Sequence, residues 1–215
     1  MKETIEEEVI RTHNLSKHYG KVKAVDGISL NVRKGEIYGF LGLNGAGKTT
    51  TIRMLLGMIH PTTGESYLNG EKVNARMHNL WNHVGYLVEI PYSYPQLTVR
   101  ENLEIVRRLR FLPDSRAVDS VIEKLQLGPY HNRKAKNLSL GNAQRLGLAK
   151  ALIHNPDILI LDEPANGLDP AGIVEIRELL RDLAFNKGVT IFISSHILGE
   201  SPGSPPVLVS SMKES

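Results

Sequence analysis

The run Gly42-Leu43-Asn44-Gly45-Ala46-Gly47-Lys48-Thr49-Thr50 fits the pattern G-x-x-x-x-G-K-[ST]. It lies between an apolar, strand-like stretch, Glu36 to Leu41, and a helical one, Thr51 to Leu56. Strand, glycine loop and helix start in that order constrain the chain to an α/β core. The glycines let backbone N–H groups turn inward around phosphate oxygens, and the helix N-terminus adds positive potential. Gly42, Asn44, Gly45, Ala46, Gly47 and Thr50 are therefore candidates for a phosphate cradle. In this pattern the lysine, Lys48, reaches the β- and γ-phosphates of a nucleotide, and the Thr49 hydroxyl ligates Mg²⁺.

A length of 215 residues allows one substantial core, or one core with a smaller lobe, and 41% hydrophobic content is that of an ordinary globular chain. The net charge of +3 is too small to argue for a nucleic-acid partner. The absence of cysteine excludes disulfides, thiolate metal sites and a cysteine nucleophile. No apolar stretch is long enough for a membrane span, and the acidic start MKETIEEEVI is unlike a signal peptide.

Val9 to Asn14 and Val22 to Val32 read as antiparallel strands ahead of the glycine loop. Glu65 to Leu68 is a short strand followed by the hairpin pair Asn69-Gly70. Val84 to Val88 is a further strand, and a Pro- and Tyr-rich loop, Pro91 to Pro95, follows it. Val99 to Leu127 is helical and broken near Pro113-Asp114; Thr98 and Glu101 have capping-box spacing at its start. Helices over Asn142–His154 and Pro170–Asn186 alternate with strands over Asp157–Leu161 and Val189–Ser194. The layout predicts a parallel-sheet core, an antiparallel N-terminal β layer and a helical insert at about 90–155.

Ile158-Leu159-Ile160-Leu161-Asp162-Glu163 is four aliphatics followed by two acids. A central strand would carry the acids to its C-terminal end, where open α/β sheets bind ligands. Asp162 suits a Mg²⁺ shell through water, and Glu163 suits a general base for an attacking water. Without the glycine loop, acids capping the next helix would explain the same run equally well.

Leu138-Ser139-Leu140-Gly141-Asn142-Ala143-Gln144-Arg145 resembles the LSGGQ-x-Q-R signature of ABC-type ATPases. Ser139, Gly141, Gln144 and Arg145 match; Leu140 and Asn142 depart from it. Other positions are similar to the same family in order. Tyr19 corresponds to the aromatic that stacks on adenine, Asp169 of Asn166-Gly167-Leu168-Asp169 to the D-loop, and His196 to the H-loop histidine that contacts the γ-phosphate. Each also has a plain structural reading: a core tyrosine, a helix cap before Pro170, and a structural histidine. The resemblance runs from about Val9 to His196. It implies a P-loop NTPase fold of ABC ATPase type over residues 1–198, with ATP and Mg²⁺ as cofactors. It further implies a head-to-tail ATPase dimer in which Ser139 and Gly141 meet the partner's ATP, with hydrolysis coupled to transport. An integral membrane permease would hold the subunit peripherally at the cytoplasmic face. A soluble ABC ATPase acting on ribosomes or DNA, and an inactive truncated subunit, are the alternatives.

Two departures stand out. Glu89 occupies the place where most family members have a glutamine. A carboxylate about 4 Å from the γ-phosphate would cost on the order of 4 kcal/mol at an effective dielectric of 20. Beside Mg²⁺ the same charge is attractive, so Glu89 is expected on the metal side of the site. Together with the Ser139-Leu140-Gly141 signature and the stretch Tyr94 to Leu103, it resembles the subgroup exporting bacitracin- and lantibiotic-type peptides. The second departure is 199–215, where Pro202, Pro205 and Pro206 forbid the expected helix. This tail is expected to be disordered or cut short.

Overall fold

The computed structural model describes residues 7–74, 80–89, 92–195 and 207–209. Two sheets organise the chain. The first is antiparallel in the order β2-β1-β4-β5, from β1 (Glu8–Tyr19), β2 (Val22–Arg33), β4 (Thr63–Leu68) and β5 (Glu71–Lys72). The second has the order β6-β7-β8-β3-β9, from β3 (Ile37–Leu41), β6 (Val84–Leu87), β7 (Ile158–Asp162), β8 (Thr190–Ser195) and β9 (Val207–Val209). Its first four strands are parallel. β9 lies antiparallel to β3, so one short strand falls within the segment expected to be irregular.

The five α-helices among the described residues are α1 (Lys48–Leu55), α2 (Val99–Leu109), α3 (Arg116–Lys124), α4 (Leu140–Leu152) and α5 (Pro170–Phe185). β1 runs five residues past the expected end at Asn14. Asn14 takes a φ of 46° and the register slips there, so the bulge hides the alternation that marks a strand. Asn69 and Gly70 both have positive φ, at 49° and 77°, as the tight β4–β5 hairpin demands. At the start of α2, the Glu101 amide donates to Thr98 Oγ1 and the Thr98 amide to Glu101 Oε2, closing the capping box.

β7 shows how the sheet positions the site. All five of its residues are buried. Side chains alternate across a strand, so its residues divide between two cores. Ile158 and Ile160 join a cluster with Phe40, Phe192, Ile52 and Leu55 on the side of α1 and the antiparallel sheet. Leu159 and Leu161 join Leu103, Val121, Leu146 and Leu180 on the side of the helical insert and α5. Asp162 continues the parity of Ile158 and Ile160 and therefore meets α1. Ser194 follows Phe192 by the same rule on β8.

His154, just beyond α4, places Nε2 3.1 Å from the Val84 carbonyl. Burial, assisted by the nearby Arg110 guanidinium, pushes its pKa down to about 4. The unfolded chain takes up this proton near the ordinary value of 6.5, so between pH 6.5 and 4 it binds more protons than the folded one. The contribution of neutral His154 is thus fully present above pH 6.5 and is lost as pH falls through about 4. Denaturant melts between those pH values should show a shallower acid slope for His154→Gln than for wild type; parallel slopes would contradict this.

Candidate functional site

β3 ends at Leu41, and the Gly42 amide donates to the Ser195 carbonyl at 3.3 Å, launching the glycine loop from the sheet edge. The loop turns through Gly45 and Gly47, with φ of 85° and 86°. A Cβ on Gly47 would lie 2.3 Å from the Ala24 carbonyl oxygen, so β2 presses directly on the loop. A cavity of about 220 Å³ opens here, lined by Ala24, Asn44, Gly45, Gly47, Lys48, Thr49, Thr50, Asp162 and Glu163. Gly42 and Ala46, expected in the cradle, do not line it; they shape the turn, through the Gly42 carbonyl and the Ala46 amide.

Lys48 is buried and donates to the Gly42 and Leu43 carbonyls at 2.6 and 3.1 Å. Its ammonium also lies 3.5 Å from the Glu163 carboxylate. The chain itself thus surrounds the lysine with oxygen at the wall of the cavity. Thr49 Oγ1 donates to Asp162 Oδ2 at 2.6 Å, and Ser194 Oγ donates to Asp162 Oδ1 at 2.5 Å. Ser194 Oγ in turn accepts from the Glu163 amide at 3.1 Å. One hydroxyl therefore fixes both acids at the end of β7. Glu163 has a φ of 49°, a left-handed conformation unusual for a non-glycine residue. Gln144 of α4, buried, donates to the Glu163 carbonyl at 3.2 Å and ties the helical insert to the same turn.

Glu89, two residues beyond β6, lines a second cavity with Thr49, Asp162, Glu163, Gln144, Leu140 and Asn166. Arg53 of α1 donates to it at 2.5 Å. The Ser139 hydroxyl accepts from the Asn142 amide at 3.3 Å and caps α4. Asp169 accepts from the Gly172 amide at 2.9 Å and caps α5 ahead of Pro170. Ser139, Gly141 and Asp169 line a cavity of about 760 Å³ that shares no residue with the glycine-loop cavity. Ser139, Gly141 and Asp169 thus stand apart from the glycine-loop cavity, while Leu140 lines both their cavity and the one that holds Glu89, Thr49, Asp162 and Glu163. Tyr19 is 52% exposed at the β1–β2 turn, with the Lys17 ammonium 5.3 Å from its ring centre, so it does not line the core. His196 lies outside the described residues.

Ser194 and Arg53 were not legible as site residues in the sequence. Strand parity from Phe192 points to Ser194, whereas Arg53 and Glu89 are 36 residues apart and carry no local signal. Among the described residues no group of three or more His, Cys, Asp or Glu is arranged to hold a metal ion, and no helix is long and apolar enough to cross a membrane.

A family model described as ABC transporter matches residues 25–166. The chain is 50% identical over 192 residues to the bacitracin transport ATP-binding protein BcrA of Bacillus licheniformis, covering 89% of this chain and 63% of that protein. Over 192 residues it is 38% identical to the lantibiotic transport ATP-binding protein SrtF of Streptococcus pyogenes, covering 89% of this chain and 82% of that one. Its fold matches the dimeric bacterial ABC transporter cassette MJ0796 with a TM-score of 0.79 at 27% identity, over 87% of this chain and 88% of that one. The same cassette has been solved in a post-hydrolysis state with ADP and phosphate. The chain spans 63 to 64% of the length of the two bacitracin relatives it matches.

Proposed function

The chain belongs to the ABC transporter family of ATP-binding proteins, and on that premise we propose that it binds and hydrolyses Mg·ATP as the energy-supplying subunit of an antimicrobial-peptide exporter. The supporting observation is the Thr49–Asp162–Ser194 network, which holds Glu163 beside Lys48 at the wall of one cavity. The bacitracin and lantibiotic relatives support the cargo class.

The donor set fits Mg²⁺. A hydroxyl and a carboxylate, both hard oxygens, are paired at the cavity without a full cage, and Mg²⁺ keeps waters and takes phosphate oxygens for the rest. Thr49, Asp162 and Glu89, which line one cavity, would hold it; bound there, it would neutralise phosphate charge. Asn44, Gly45, Gly47 and Thr50 surround the phosphates, and Tyr19 offers its exposed face to the adenine. Lys48 exchanges its loop carbonyls for β- and γ-phosphate oxygens. Glu163 takes the proton of the attacking water while His196 orients that water. Ser139, Gly141 and Asp169 act across a head-to-tail dimer on the partner's nucleotide. ATP then binds two surfaces in the closed dimer and one in the open form, so its differential affinity drives closure. Closure is passed through the Glu89 loop and the helical insert to a membrane permease, which holds the subunit at the cytoplasmic face.

Affinity purification from detergent-solubilised native membranes tests this reading. It should recover a stoichiometric multi-span protein together with ATPase activity. Recovery of ribosomal proteins alone would contradict it.

A further inference from the structure

Three carboxylates, Glu89, Asp162 and Glu163, line one cavity beside the glycine loop. Each has its own partner. Hydroxyls of Thr49 and Ser194 hold Asp162, and the Lys48 ammonium lies beside Glu163. Glu89 is met by Arg53, whose guanidinium nitrogen lies 2.5 Å from its carboxylate. Thr49 and Arg53 are four residues apart on α1 and so share one face of that helix. The helix that supplies the metal-side hydroxyl thus also supplies the counter-charge for Glu89. Glu89 itself has a φ of 57°, so the backbone at the end of β6 turns out of the strand at that residue.

The pair does little for folding. The side chains are 37% and 55% exposed, and ion pairs so placed add little to stability. Its consequence is where it leaves the charge. An unpaired Glu89 would face Asp162, Glu163 and an incoming polyphosphate together. A neutral glutamine at this position would need no such partner.

We infer that Arg53 is a positioning residue for Glu89: it holds the carboxylate against α1 in the nucleotide-free chain and competes with Mg²⁺ for it when Mg·ATP enters. The inference rests on the nucleotide-binding reading above. Arg53 lines neither the glycine-loop cavity nor the Glu89 cavity and acts through Glu89.

A double-mutant cycle of Arg53→Ala and Glu89→Gln tests this, with Arg53→Lys as the conservative variant. The readout is the Mg²⁺ concentration giving half-maximal binding of a fluorescent, non-hydrolysable ATP analogue. The Mg²⁺ dependence of kcat and KM in turnover is read alongside. Arg53→Ala should lower the half-saturating Mg²⁺ concentration severalfold, and Arg53→Lys should stay close to wild type. Made on top of Glu89→Gln, Arg53→Ala should change it by less than about half as much on a logarithmic scale, since coupled pairs are non-additive. An equal shift in both backgrounds, or none in either, would overturn the inference while leaving nucleotide binding intact. A wild type that binds no nucleotide analogue at any Mg²⁺ concentration would overturn the underlying reading, and this inference with it.

Discussion

Glu163→Gln is expected to keep Mg·ATP binding and lose turnover by about 100- to 10,000-fold, the range of a general base. The amide has the shape of the carboxylate and accepts no proton. Its backbone anchors are untouched, because the Glu163 amide donates to Ser194 and its carbonyl accepts from Gln144 whichever side chain is present. Lys48 loses an ionic neighbour at 3.5 Å but keeps the Gly42 and Leu43 carbonyls, so the loop should stay folded. Phosphate release read beside equilibrium binding of a fluorescent ATP analogue separates the two effects. Wild-type turnover in Glu163→Gln would remove Glu163 from the chemistry.

Gly47→Ala should damage the glycine loop before any nucleotide arrives. Its φ of 86° costs an L residue roughly 1–2 kcal/mol. The new methyl would also lie 2.3 Å from the Ala24 carbonyl and 3.0 Å from a Val25 methyl. Backbone presses on one side and the start of α1 on the other, so the loop must move. Gly45 is a control within the same loop: its φ is nearly the same at 85°, and a Cβ there meets nothing within 4 Å. Thermal melts without nucleotide should therefore show a distinctly larger loss for Gly47→Ala than for Gly45→Ala. ATP affinity of Gly47→Ala should fall by about 100-fold, equivalent to about 2.7 kcal/mol. Equal melting losses for the two variants would show that the Ala24 contact carries no weight.

The sequence was most legible where one local rule dominates. The aliphatic run Ile158 to Leu161 could only be a buried strand delivering Asp162 to its end, and β7 is that strand. Thr98 with Glu101, and Asn69 with Gly70, each encode a cap or turn in neighbouring residues, and both form. The second half of β1 carries no strand signal, because Asn14 bulges out and its polar neighbours break the period of two. Pairings across long sequence separations were not legible. The Ser194 hydroxyl reaches Asp162 only because β8 lies beside β7 in register, Asp162 opposite Ser194. Arg53 reaches Glu89 only because β6 ends beside α1. The resting partners of Lys48 were likewise hidden, since the motif specifies what the lysine meets when phosphate is present and not what the chain offers otherwise.

Ser139 and Gly141, at the start of α4, line a cavity that does not include the glycine loop. That placement, with the dimeric cassette this fold matches, supports the proposed second copy. Ser139 and the first amides of α4 form a helix N-terminus suited to a phosphate, and no residue of the cavity they line belongs to the one formed by their own glycine loop.

Sedimentation velocity of Glu163→Gln with and without Mg·ATP tests this arrangement most directly. The account predicts a monomer without nucleotide and with ADP, and a dimer with ATP. A chain that is saturated with ATP and still sediments as a monomer would contradict it.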